Sequence, residues 1–181
     1  MTRNLTTTGD APMDQPELHH PWGIVSPSFW AGAETAPQAP PAVPRGLAAI
    51  HAASVAGRHE DALLLAEELD AQLTAAHGEV SLDTIQVREV RGYLTDLAGR
   101  APEALEWYLH ALRLRARLHG PDSPDTEAAA RRAYSLWRTL PPAGAQDAAP
   151  ALLAALTEAQ GPDSRAARRT RRRSAELAAG A

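Results

Sequence analysis

The sequence predicts an all-α fold: about three antiparallel helix pairs in a short solenoid, closed by a C-terminal helix and preceded by a disordered N-terminal arm. Three observations carry this. First, His77-Gly78-Glu79-Val80-Ser81-Leu82-Asp83-Thr84 returns 42 residues later as His119-Gly120-Pro121-Asp122-Ser123-Pro124-Asp125-Thr126. The same shift lays Ala56-Gly57-Arg58 on Ala98-Gly99-Arg100 and Ala62-Leu63 on Ala104-Leu105, making ten identities without a gap. Self-similarity at a fixed period of this size is the mark of stacked units. Second, apolar residues between the repeated blocks recur at helical spacing. Third, a weaker copy, Gly161-Pro162-Asp163-Ser164, follows one residue early.

Residues 1–44 form the arm. Proline at 12, 16, 21, 27, 37, 40, 41 and 44 removes donors and blocks both helix and sheet. One aromatic island interrupts it at residues 21–30, where Trp22, Ile24, Phe29 and Trp30 read as a linear motif. Such residues expose large apolar areas that water disfavours, so the island is expected to dock on the array or on a partner.

Residues 45–162 hold the repeats. Leu47, Ile50, Ala53 and Val55 precede a break at Gly57. Ala62, Leu63, Ala66, Leu69 and Leu73 then form the stripe of a second helix, closed at Gly78, where a left-handed glycine ends a helix without steric cost. Asp83-Thr84 offers an N-cap for the next helix. Ile85, Val87, Val90, Tyr93, Leu94 and Leu97 mark that helix. Ala104, Leu105, Tyr108, Ala111, Leu112 and Leu118 mark its return, with Pro102 in the tolerant first turn. A third unit starts at Thr126 and carries Ala129, Ala133, Tyr134, Leu136 and Trp137. Pro141-Pro142 stops it, a longer loop runs to Ala149, and a shorter return helix holds Leu152, Leu153 and Leu156. Residues 163–181 make a basic capping helix, from about Ser164 to Leu177, and a tail; a polar terminal unit is what a stacked array needs at its end.

Composition narrows the function. The 181 residues include no cysteine, which excludes disulfides and thiolate metal sites. Lysine is absent too, so all 18 basic residues are arginine. No apolar run approaches the ~20 residues of a membrane span, and no secretory leader is evident at the N-terminus, so a cytoplasmic protein is expected. The net charge is −4, yet the last nineteen residues carry six arginines against two acids. No phosphate loop, nucleophile elbow or metal-ligand spacing occurs among the seven histidines or the acids. Neither catalysis, nor a metal, nor a cofactor, nor a small-molecule substrate is therefore expected.

Two helices per unit, and the Gly-x-x-x-x-Ala-Leu entry at Gly57, Ala62, Leu63 and at Gly99, Ala104, Leu105, resemble the tetratricopeptide repeat (TPR). The linker Gly-Pro-Asp-x-Pro-Asp-Thr at 120–126 resembles the 42-residue subclass found in kinesin light chains and bacterial signalling proteins. Departures are Arg91 where the family has leucine, Leu69 where it has a small residue, and a third unit without the entry motif. The resemblance implies a bacterial adaptor or scaffold binding a peptide or partner protein, or its own arm. The implied groove residues are His51, Val55, Glu89, Tyr93, Asp96, Arg131, Ser135 and Arg138. The alternative is a nucleic-acid-binding accessory protein using the run Arg168, Arg169, Arg171, Arg172 and Arg173 through phosphate contacts; the acidic body beside that run makes nucleic acid the less expected partner.

Overall fold

A computed structural model describes residues 42–179, and the aromatic island with the rest of the arm lies outside them. The described residues fold into seven helices and no strand: α1 (Ala42–Val55), α2 (His59–His77), α3 (Leu82–Leu97), α4 (Ala101–His119), α5 (Pro124–Thr139), α6 (Pro142–Gln160) and α7 (Arg165–Ala179). The turns between them hold three, four, three, four, two and four residues, so each helix folds back along its predecessor.

The repeat is visible in the helix ends. Gly78, Gly120 and Gly161 follow α2, α4 and α6 with φ of 79°, 89° and 86°, a region that only glycine enters without strain. Three residues on, a serine caps the next helix. The Thr84 amide donates to Ser81 Oγ at 3.2 Å, and the Thr126 amide to Ser123 Oγ at 3.1 Å. Each threonine hydroxyl then donates back to the preceding glycine carbonyl, at 2.9 Å for Thr84 to Gly78 and 2.8 Å for Thr126 to Gly120. Both threonines are fully buried, so this knot fixes the angle between hairpins. The caps are therefore Ser81 and Ser123, not Asp83-Thr84: the serine hydroxyl lies outside the helix, where it can reach the free amides of the first turn. The third copy keeps the form, with Ser164 Oγ accepting from the Ala167 amide at 3.3 Å.

Two boundaries differ from the sequence expectation. Helix α1 begins at Ala42, inside the proline-rich segment, because Pro44 falls in its first turn where no amide partner is needed. Helix α6 begins at Pro142 and runs nineteen residues, as long as α2 and α4, instead of following a loop to Ala149. Its alanines form helix readily, and Trp137, fully buried, donates its indole N–H to the Ala145 carbonyl at 2.7 Å and pins the first turn of α6. The exposed Pro150 is accommodated within α6. The one-residue offset of the third copy lies in the turn Leu140-Pro141, two residues where Ala98-Gly99-Arg100 has three.

The apolar core has two main parts. Val43, Ile50, Ala66, Leu69, Leu73, Val90 and Leu94 join α1, α2 and α3. Leu105, Tyr108, Leu112, Leu136, Trp137, Leu152 and Leu156 join α4, α5 and α6, with Ala167 bringing in α7. Leu118, expected on the α4 stripe, is 37% exposed, because it sits in the last turn beyond the α3 contact. Helix α4 packs on α6 as well as on its neighbours α3 and α5, whereas α2 makes no comparable contact with α4.

Candidate interaction surface

The sequence placed a groove and a basic run in separate parts of the chain, and the fold brings parts of both together. Helices α5 and α7 are the first helices of consecutive units and contact one another. A recess of ≈ 500 Å³ between α5, α7 and their linkers is lined by Glu127, Arg131 and Tyr134 from α5, by Arg165 and Arg169 from α7, and by Asp122 and Asp163 from the linkers. Beside it, sharing Tyr134 and Arg169, a second recess of ≈ 370 Å³ is lined by Arg138, Arg172, Arg173 and Glu176.

The basic run divides over two sides of α7. Arg168 and Arg171 turn back and donate to the carbonyls of Asp163 and Pro162 in the linker. Arg169, Arg172 and Arg173 face α5. Four guanidiniums thus meet one carboxylate in the smaller recess. Arg172 lies 3.7 Å from Glu176, and Arg131 pairs with Glu127 at 3.1 Å on the larger recess. Arg138, Arg165 and Arg169 form no ion pair among the described residues, and the buried Nε of Arg173 has no hydrogen-bond partner there.

The other residues expected in the groove disperse. His51 and Val55 lie exposed on α1, and Tyr93 and Asp96 are half-buried on α3; none of them lines these recesses, nor does Ser135. Burial raises the Tyr93 phenol above its ordinary range, with the Asp96 charge adding to the shift.

Glu89 requires a correction: it is 4% exposed and faces inward. Its carboxylate receives Arg115 Nη2 at 2.8 Å and Nε at 3.3 Å from α4, and Arg132 Nη1 at 2.8 Å from α5. It is an internal brace across three helices. A second brace centres on Asp70 of α2, which accepts Arg88 Nε at 3.0 Å and Arg91 Nη1 at 2.7 Å from α3. Arg91 also lies 3.9 Å over the Trp107 ring, so the position where leucine was expected is filled by a cation paired on one side and stacked on the other.

Arg88 extends this brace to Glu79 Oε1 at 2.9 Å and His110 Nε2 at 2.6 Å. Burial, then the Arg88 charge, hold the His110 imidazole below its ordinary value. The neutral ring accepts from Arg88, so its 3.2 Å approach to Glu79 is not an ion pair. The hydrogen bond from Arg88 holds the Glu79 carboxyl below its usual range.

Sequence reasoning missed these braces, although the signal was present. Asp70 lies four residues after Ala66 and three before Leu73, on the buried stripe of α2, and Arg115 lies three after Leu112 on that of α4. A charge in an apolar register is a charge that has a partner.

No group of histidines and acids suited to a metal ion occurs among the described residues, and none of their helices is long and apolar enough to cross a membrane. No family model, curated protein or solved structure matches the chain.

Proposed function

We propose that this protein is a helical-repeat interaction module of the TPR kind, an adaptor or scaffold without chemistry of its own, holding a segment of another protein between α5 and α7. The observation that carries this reading is the convergence of Arg131, Tyr134 and Arg138 with Arg165, Arg169, Arg172 and Arg173 on one indented surface. Tyrosine and arginine are the residue types that dominate binding hot spots, because each covers wide area with few rotors and offers directed donors. The 42-residue period, the glycine–serine–threonine linkers and the paired helices support the kinship with TPR arrays. A cytoplasmic setting fits the cysteine-free composition.

The test is a photo-crosslinking amino acid at Tyr134 in the full chain, with a control at exposed Gln72 on α2. Irradiation in an extract of the source cells should give a discrete adduct at position 134 alone. That adduct should be removed by protease and should survive nuclease. A nuclease-sensitive adduct would replace this reading with nucleic-acid binding, and equal labelling at both positions would remove the groove from consideration.

A further inference from the structure

We propose that the smaller recess binds a phosphomonoester on the partner segment, a phosphorylated serine or threonine, while the larger recess takes its neighbouring residues. This inference rests on the interaction reading above and assigns the chemistry of its ligand.

The first argument is charge. Arg138, Arg169, Arg172 and Arg173 surround ≈ 370 Å³ with Glu176 as the sole acid of the lining. A single carboxylate would leave most of that surplus uncompensated. A phosphomonoester carries between one and two negative charges near neutral pH and presents three acceptor oxygens. Guanidinium groups match those oxygens through paired N–H donors, which lysine cannot reproduce. Arg138 and Arg169 are exposed and have no internal ion pair among the described residues, so guanidinium donors stand ready on both α5 and α7.

The second argument is the neighbour. The adjoining recess is not basic throughout: Asp122, Glu127 and Asp163 line it together with Arg131, Arg165 and Arg169. A nucleic acid repeats its phosphate along its whole length, so phosphates entering here would meet these acids. A polypeptide with one doubly charged group, followed by polar or basic residues, meets a complementary surface in both recesses. Tyr134, common to both, offers a flat wall under the chain between them.

The experiment measures fluorescence anisotropy of short labelled peptide pools with the full-length protein. The central residue is fixed as phosphoserine, serine or glutamate and the others are randomised; a mixed-sequence single-stranded DNA of similar length is the fourth probe. The phosphoserine pool should bind at least about tenfold more tightly than the serine and glutamate pools. That advantage should shrink as pH falls through about 6, where the phosphate takes up a proton. Arg138→Gln and Arg169→Gln, both at exposed positions, should each abolish most of it while the melting temperature stays unchanged. Arg169→Lys should restore only part.

A glutamate pool that binds as well as the phosphoserine pool would overturn the phosphate assignment and leave the interaction reading standing. DNA outcompeting every peptide would overturn both in favour of nucleic acid. Binding by no probe would overturn both outright.

Discussion

Replacing Glu89 tests the internal braces most directly. Its carboxylate is 4% exposed, and the Arg115 side chain that it holds is 9% exposed, so neither ion has water to fall back on. Glu89→Leu would strand a buried guanidinium. Removing one partner of such a pair costs about 3–5 kcal/mol, because the remaining charge keeps its desolvation penalty and loses its compensation. A domain of this size has about 5–15 kcal/mol in total, so the variant should lose roughly a fifth or more of its stability and melt about 10–20 °C lower.

The control is the pair. Glu89→Leu with Arg115→Met removes both charges and refills the volume, and should recover at least about half of the loss. Arg132→Gln should cost under about 1 kcal/mol, since the Arg132 side chain is 30% exposed and its end of the pair can be resolvated. Urea unfolding followed by circular dichroism reads all three. If Glu89→Leu lies within about 1 kcal/mol of the parent, the carboxylate does not hold Arg115 in solution and the reasoning fails.

Other expectations follow from the same geometry. His110 has its folded pKa depressed, so the unfolded chain takes up the proton first. Its contribution is complete above the ordinary 6.5 and declines as pH falls from there to the lower folded value, and Glu79 adds a second decline below 4.5. Urea midpoints across this range should fall on acidification, and His110→Gln should flatten the upper part; a midpoint that rises on acidification would contradict both shifts. Ser81→Ala and Ser123→Ala should each cost about 1 kcal/mol by releasing the Thr84 or Thr126 amide, measured by the same unfolding, whereas a loss at one site alone would break the equivalence of the linkers. Pro150→Ala, at an exposed position inside α6, should stabilise by about 1–3 kcal/mol through the restored amide, and a lowered melting temperature would show that the proline is needed where it stands.

The helical class and the linkers were legible because they repeat. Two occurrences of one block constrain each other, and a glycine at fixed spacing from an apolar stripe has one physical reading. The start of the third return helix was not legible, because Pro141, Pro142 and Pro150 read as breakers while the alanines between them carry little hydrophobic signal. What makes that stretch helical is tertiary: Trp137 capturing the Ala145 carbonyl and Gln146 Nε2 donating to the Leu177 carbonyl at 2.9 Å. The surface was half legible. Arg131 and Arg138 were implied by the resemblance to the repeat family and Arg169, Arg172 and Arg173 were read from a charge run, but their meeting depends on α7 contacting α5, which no local pattern encodes. Glu89 was misplaced for the complementary reason: register shows which face a residue occupies, not whether a partner awaits it inside.

Divergence between the units is coupled across contacts. Gly46 of α1 lies so close to α2 that a Cβ there would stand 2.8 Å from a Leu69 methyl carbon. Forty-two residues on, the corresponding positions are Arg88 and Ala111, both buried. The large residue has passed from the second helix of the hairpin to the first, and the small one has moved the other way. Leu69, where the resemblance led to the expectation of a small residue, thus fills the space left by Gly46. The next exchange is chemical. Asp70 of α2 aligns with Leu112 of α4. Where the position is aspartate, α2 is joined to the next hairpin through ion pairs to Arg88 and Arg91, and it does not reach α4. Where it is leucine, α4 packs directly on the alanine-rich α6. Ion pairs are directional and fix one arrangement, whereas small apolar faces let helices approach closely. The first junction therefore adds the Asp70 ion pairs to an apolar core, the second adds direct α4–α6 packing to the Glu89–Arg132 and Arg113–Glu158 pairs, and the α5–α7 surface stands beside the second.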